Sequence, residues 1–221
     1  MPAPLAVPVP FLLHFPGSTV EDIAVFCVAA LVAVTVSAES QGLAATLLGD
    51  RQSGGGKRFQ FNAFLHLDPL GTLCFFVAGF GWAKEVKIDA AKFRHPRFYL
   101  MLSRLAGPLG NFMMASIAAS IYALLTNFGF EDKAFSSVVV VNLMMAIYGL
   151  ICVYPLPGSS IVGLVFRGGE GFDKTVRYVR LISPFLLLAW FVAARLLDRD
   201  VIGTVLHPLV RSIALFLTTG M

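Results

Sequence analysis

Residues 37–50 read Ser-Ala-Glu-Ser-Gln-Gly-Leu-Ala-Ala-Thr-Leu-Leu-Gly-Asp and form the end of an apolar run that begins near Val20. The run is longer than the roughly 20 residues that a membrane-spanning helix needs. Polar side chains interrupt it at Ser37, Glu39 and Gln41. Ionisable residues inside a membrane helix are rare and usually mark a functional site. The stretch therefore predicts a membrane helix that carries a polar cluster near its end.

The rest of the chain has the composition of a membrane protein. Its 221 residues are 57% hydrophobic and 14% charged, with a mean hydropathy of +0.78. Soluble domains usually contain about a quarter charged residues. The composition predicts an all-α polytopic protein with five or six membrane segments. These segments lie at about 20–48, 69–82, 98–128, 135–155, 177–197 and 201–219.

We expect residues 1–221 to form a single membrane domain. It would consist of an N-terminal apolar or interfacial segment (1–19), a core (20–165) and C-terminal membrane helices (166–221). Roughly alternating side chains near 59–65 and a short run near 84–90 predict minor extended pieces. We expect an integral, multi-pass protein of a prokaryotic inner (plasma) membrane.

Charge and cysteine usage exclude other classes of protein. The net charge is +4, but the basic residues are scattered and form no basic helix, so we expect no nucleic-acid partner. Basic residues gather in the cytoplasmic loops of membrane proteins, which accounts for the charge. The three cysteines are far apart and lie in apolar segments, which argues against a disulfide framework.

Three blocks further along the chain share the pattern of one family. They read His66-Leu-Asp-Pro-Leu-Gly-Thr72 followed by Phe80-Gly-Trp-Ala-Lys84, then Leu105-Ala-Gly-Pro-Leu-Gly-Asn111, and finally Asn142 through Tyr154-Pro-Leu-Pro-Gly-Ser159. In this order, with the 37–50 stretch upstream, they resemble the site-2 protease family of intramembrane zinc metalloproteases. The resemblance covers roughly residues 30–165 and implies the helical core of that family.

The same resemblance implies where a zinc site would lie. In that family an H-E-x-x-H motif supplies two zinc ligands and a general base, and an Asp in a later N-L-L-P-x-P-P-L-D-G pattern is the third ligand. Here Ser37, Ala38 and Gln41 stand at the first motif and Pro157 at the Asp. A register moved by one residue restores a Glu at Glu39 but leaves two positions without ligands. A catalytic zinc needs three protein ligands, so we expect no cofactor and no catalytic residues.

Other polar residues form a candidate binding cluster. Its members are Glu39, His66, Asp68, Arg104, Asn111 and Asn142. Glu39 is predicted to pair with Arg104, either as a structural ion pair or for ligand or proton handling. His66 and Asp68 form an H-x-D pattern that suits a metal, although Asp68 before Pro69 also reads as a helix N-cap.

The two asparagines of this cluster lie on different predicted spans. Amide side chains hydrogen-bond across helices in lipid. The resemblance also allows a second role for Asn111 and Asn142, because the corresponding region of active relatives lines the substrate channel.

The resulting functional hypothesis is a catalytically inactive scaffold or binding subunit. Its expected partners are membrane lipid and other integral membrane proteins. One alternative is an active intramembrane zinc metalloendopeptidase with a displaced site, using Glu39, His66 or Asp68. The other alternative is a lipid-, quinone- or ion-handling subunit of a larger membrane complex.

Overall fold

The computed structural model describes residues 19–50, 61–130, 132–165, 170–197 and 201–219. Over these ranges the chain is helical and contains no strand. The seven α-helices are α1 (Val20–Leu47), α2 (Pro69–Ala78), α3 (Pro96–Asn127), α4 (Lys133–Tyr148), α5 (Ser159–Val165), α6 (Glu170–Leu196) and α7 (Val201–Thr219). The all-α prediction is therefore confirmed for the part of the chain that the structure describes.

Local sequence signals explain where the helices begin and end. Thr19 caps α1, because its hydroxyl accepts from the Asp22 amide and the Asp22 carboxylate accepts in return from the Thr19 amide. Asp68 caps α2 and is followed by Pro69 at the first helical position. The helix α2 ends at Gly79, whose φ of 75° favours glycine.

Among the described residues, three helices are long and apolar enough to cross a membrane. They cover Val20–Leu47, Pro96–Asn127 and Val176–Ala194. The apolar helices Lys133–Tyr148 and Thr204–Thr218 are shorter. The predicted segment at 69–82 is the ten-residue helix α2 followed by a turn. The prediction of five or six membrane segments thus stays a prediction beyond these three.

The predicted extended pieces are wrong for the described residues. A 3₁₀ turn occupies Ala63–His66, another occupies Ala90–Lys92, and a single isolated antiparallel bridge joins Leu67 to Ala83. The reason is local. The side chain of Asn62 accepts from the Phe64 amide, and that of Asp89 accepts from the Ala91 amide. Such side-chain bonds to the backbone compete with strand pairing and favour turns. Residues 59 and 60 lie outside the described ranges.

Helices α1, α3 and α4 pack against one another to form the centre of the molecule. Small residues on α3 make this packing close. A Cβ placed on Gly107 would lie 2.8 Å from both Ser37 Oγ and Gln41 Nε2 of α1. Small residues allow helices to approach closely in membranes. The polar stretch of α1 is therefore held directly against α3.

The loop after α2 is anchored by an aromatic cluster. The ring of Phe80 stacks on Tyr148 of α4 with centroids 4.2 Å apart, and it meets Phe191 of α6 edge-on at 5.0 Å. All three side chains are buried. Aromatic pairs in this geometry add to the stabilisation from burial. The loop after Phe80 is thereby held beside α4 and α6.

Candidate functional site

A cavity of about 620 Å³ opens beside the polar stretch of α1. Its walls come from α1, α3, α4, α5, α6 and the loops that follow α2 and α4. Three of the positions predicted from the zinc-protease resemblance line it, namely Ser37, Gln41 and Pro157. Arg104 of α3 lines it as well. The fold thus brings together positions that are more than a hundred residues apart in the sequence.

The groups at these positions do not fit zinc. They are a hydroxyl, a carboxamide and a proline ring, and the position of the general base holds the buried methyl group of Ala38. Zinc sites in proteins use thiolate, imidazole and carboxylate ligands. Across the described ranges, no group of three or more His, Cys, Asp or Glu side chains could hold a metal ion.

Arg104 occupies the side of the cavity next to Gln41. Its Nη1 donates to Gln41 Oε1 at 3.2 Å, and its Nη2 donates to Glu85 Oε1 at 2.6 Å. The other Glu85 oxygen accepts from the Tyr154 hydroxyl at 2.9 Å. Partial burial, together with the Glu85 carboxylate, raises the pKa of Tyr154 to about 12. The phenol therefore remains a hydrogen-bond donor at neutral pH.

The predicted pairing of Glu39 with Arg104 is corrected by these contacts. Glu39 Oε1 instead lies 3.0 Å from His66 Nε2, and both side chains are mostly buried. This contact joins α1 to the 3₁₀ turn at Ala63–His66. The sequence could not show it, because a contact between side chains 27 positions apart on separate elements depends on side-chain geometry.

Asp68 lies in a helix cap. Its Oδ1 accepts from the Gly71 amide at 2.8 Å and from Trp82 Nε1 at 3.0 Å. The N-cap prediction is confirmed, and the H-x-D pattern of His66 and Asp68 does not form a metal site with a third ligand among the described residues.

Neither asparagine lines the cavity, although both are fully buried. Asn142 Nδ2 donates to the Val138 carbonyl of its own helix at 2.8 Å. Both polar side-chain atoms of Asn111 lack a hydrogen-bond partner within the part of the chain that the structure describes. The predicted hydrogen bonds across helices are therefore not observed for these two residues.

Several charged residues around the cavity were missed by the sequence argument. They are Lys84, Glu85, Arg97 and Arg180. The uncharged Tyr154, which also lines the cavity, was missed as well. The Arg180 guanidinium lies 5.8 Å from the centre of the Tyr154 ring. The signal was present in the basic residues themselves, but these were interpreted only as residues of cytoplasmic loops.

Comparison with known proteins shows similarity to a bacterial protein. The chain is 30% identical over 141 residues to the "Putative zinc metalloprotease YwhC" of Bacillus subtilis (strain 168). The match covers 60% of this chain and 64% of YwhC, so the chain spans less than two thirds of that protein. No protein-family model matches the chain, and no solved structure matches it.

Proposed function

We propose that the chain is a site-2-protease-like protein of a prokaryotic inner membrane that crosses the bilayer several times and does not hydrolyse peptides. Its similarity to YwhC and its three membrane-length helices support this proposal. The quoted sequence blocks support it too, because two of them meet at one cavity. Trp82 and Pro157, from separate blocks, line this cavity together with Ser37 and Gln41 of α1.

The observation that carries the proposal is the chemistry at the shared cavity. Ser37, Gln41 and Pro157 line it together, yet none supplies a ligand of the kind that zinc requires. The Arg104 guanidinium bonds to Gln41 at one of these positions. The fixed positive charge of Arg104 disfavours the binding of a metal cation beside Gln41, since like charges repel strongly where water is scarce.

We propose further that the protein acts as a binding subunit for other integral membrane proteins. Two helices present wide apolar faces that the described part of the chain does not cover. The exposed side chains are Leu109, Phe112, Met113, Ile117 and Leu124 of α3, and Leu181, Phe185, Leu186 and Trp190 of α6. In a bilayer such faces contact lipid or pack against further helices.

The zinc content of the detergent-purified protein tests the loss of catalysis. We expect far less than one zinc per chain by mass spectrometry, both for the unaltered chain and for Glu39→Gln. Near-stoichiometric zinc in a folded sample would contradict the proposal. If Glu39→Gln then lost the metal, Glu39 would be a ligand of a displaced site.

Native gel electrophoresis of gently solubilised membranes tests the role as a subunit. The chain has a mass of 23.9 kDa, and we expect it to migrate in a larger assembly that contains other membrane proteins. The variant with Leu186→Arg and Trp190→Arg on α6 should no longer migrate with the assembly if that face binds the partner proteins. Migration of the unaltered chain alone would contradict the proposal.

The contact between Glu39 and His66 is the observation that favours the alternative of a displaced protease site. This alternative predicts zinc-dependent cleavage of a membrane substrate that His66→Ala abolishes. The same change should leave a non-catalytic protein with unaltered assembly on the native gel, apart from a modest loss of stability.

A further inference from the structure

The cavity contains more positive than negative side chains. Lys84, Arg97, Arg104 and Arg180 line it, and Glu85 is the one acidic residue among the described lining residues. Within the described part of the chain, four cationic groups against one anionic group leave an excess of three positive charges. Uncompensated charge in a partly closed, apolar space is costly, and a cavity lined by one sign of charge concentrates ligands of the opposite sign. The cavity is therefore suited to an anion.

The hydrogen bonds to the Glu85 side chain indicate which kind of anion the cavity can bind. One of its carboxylate oxygens accepts from Arg104 Nη2 at 2.6 Å, and the other accepts from the Tyr154 hydroxyl at 2.9 Å. Arginine and carboxylate form short, charge-assisted hydrogen bonds. The two donors come from different elements, α3 and the loop after α4, and they are spaced to receive both oxygens of one carboxylate. We call Arg104 and Tyr154 the carboxylate clamp.

The carboxylate now in the clamp can be exchanged. The side chain of Glu85 is 49% exposed, whereas that of Arg104 is only 14% exposed. Glu85 also lies in an irregular segment between the bridge at Ala83 and the 3₁₀ turn that begins at Ala90. Displacing Glu85 would return its charge to water, while the buried guanidinium would keep an anionic partner.

The remaining walls of the cavity are apolar. Leu100, Met145, Leu156, Val162, Val176 and Val179 line it. Its volume of about 620 Å³ is within the usual range of small-molecule pockets. An apolar chain attached to the anion could contact these side chains, and the burial of that chain would add to the affinity.

We propose that the cavity binds a carboxylate carried on an apolar chain, and that the ligand's carboxylate replaces that of Glu85 in the clamp. Arg180, which lies over the Tyr154 ring, and Arg97 supply further positive charge at the same end. This inference goes beyond the proposed function, because neither zinc nor a protein partner takes part in it. It would hold equally for a protein with or without a displaced protease site.

Trp82 provides a local probe for the experiment. It lines the cavity and is buried, while the other tryptophan, Trp190, is exposed on α6. In a Trp190→Phe background of the full chain, dibrominated stearate should quench Trp82 fluorescence saturably. The methyl ester of the same acid, which differs only in charge, should quench it far less. Equal quenching by the ester would overturn the proposal.

Matched arginine variants on α6 test the role of charge. Arg180 lines the cavity and Arg177, one turn earlier, does not. We expect Arg180→Gln to weaken stearate binding about tenfold, in keeping with the loss of a charged interaction, and Arg177→Gln to leave it unchanged. Equal effects of the two changes would overturn the proposal. This pair avoids Arg104, whose removal could unfold the protein.

A change at Glu85 tests whether its carboxylate and that of the ligand compete for Arg104. Glu85→Gln should tighten stearate binding by about tenfold, because a neutral amide competes less well for the arginine. Weaker binding in this variant would overturn the exchange mechanism.

Acetate should displace the brominated stearate only at far higher concentration. If acetate competed as effectively as stearate, the apolar chain would have no role and that part of the proposal would be wrong.

Discussion

The guanidinium of Arg104 lies between the amide oxygen of Gln41 and the carboxylate of Glu85. At this point in the molecule the resemblance to zinc proteases predicts an imidazole and a metal ion. The side chain of Gln41 is instead a hydrogen-bond acceptor for a fixed cation. Where the resemblance implies metal coordination, the structure has a hydrogen bond that joins α1 to α3.

Asn111 offers a test of how the buried polar residues are satisfied. The side chain is fully buried and has no partner among the described residues. A buried, unsatisfied polar group costs about 1–3 kcal/mol. We expect Asn111→Leu, which keeps a similar shape, to raise the free energy of unfolding in detergent by about that amount.

Asn142→Leu is the matched control for that measurement. Asn142 is equally buried but donates one hydrogen bond to the Val138 carbonyl. Its replacement should therefore stabilise the protein less than that of Asn111, or not at all. If Asn111→Leu clearly destabilised the protein, Asn111 would instead be satisfied by a buried water molecule.

Single residues show what the sequence could and could not predict about the site. The convergence of Ser37, Gln41 and Pro157 was predicted, because the resemblance implies that these three motif positions lie around one site. The contact between Glu39 and His66 was not, since a hydrogen bond between distant residues depends on side-chain geometry. The carboxylate clamp was missed because Glu85 and Tyr154 lie in irregular segments without any periodic pattern.

At the scale of elements, the long helices were predicted, whereas the short helix α5 and the conformation of the connections were not. The capping signals at Asp68 and the long apolar runs determine where α1, α2 and α3 begin. The segment from Phe80 to Phe93 has neither signal, and its conformation depends on the burial of its aromatic side chains. This segment also carries Glu85, so the least predictable element is the one that completes the cavity.

The packing of α1 against α3 gives a prediction at this scale. A Cβ on Gly110 would overlap the side chain of Ser40. Inserting a methyl group into a well-packed interface typically costs about 1–3 kcal/mol, so we expect Gly110→Ala to lower the free energy of unfolding by that amount. The control Gly163→Ala, at a helical glycine with open space around it, should not destabilise the protein.

A second substitution should reverse the first. The double variant Ser40→Gly/Gly110→Ala adds a methyl group to α3. It also removes from α1 the two Ser40 atoms that this methyl group would overlap. We expect its stability to return close to that of the unaltered chain, measured by thermal unfolding in detergent. Additive losses in the double variant would show that the two residues do not share a contact.

At the scale of the whole molecule, the fold brings distant positions to one cavity. Helices α1, α3 and α4 pack against one another, and Pro157 in the loop after α4 lines the same cavity as Ser37 and Gln41 of α1. The backbone sets where these side chains lie, whereas their chemical groups decide whether a metal can bind. The arrangement of the site and its metal-binding chemistry are therefore separable.

That separation predicts that zinc binding can be restored by side chains alone. The variant Ser37→His/Ala38→Glu/Gln41→His/Pro157→Asp places two imidazoles and a carboxylate around the cavity, which is the ligand set of a catalytic zinc site. We expect it to bind about one zinc per chain, measured by mass spectrometry against the unaltered chain. A version with Arg104→Gln in addition should bind zinc more tightly, because it removes a positive charge beside the metal. If neither version bound zinc while both remained folded, the three ligand positions Ser37, Gln41 and Pro157 would not converge as the cavity geometry indicates, and the resemblance would not extend to the site.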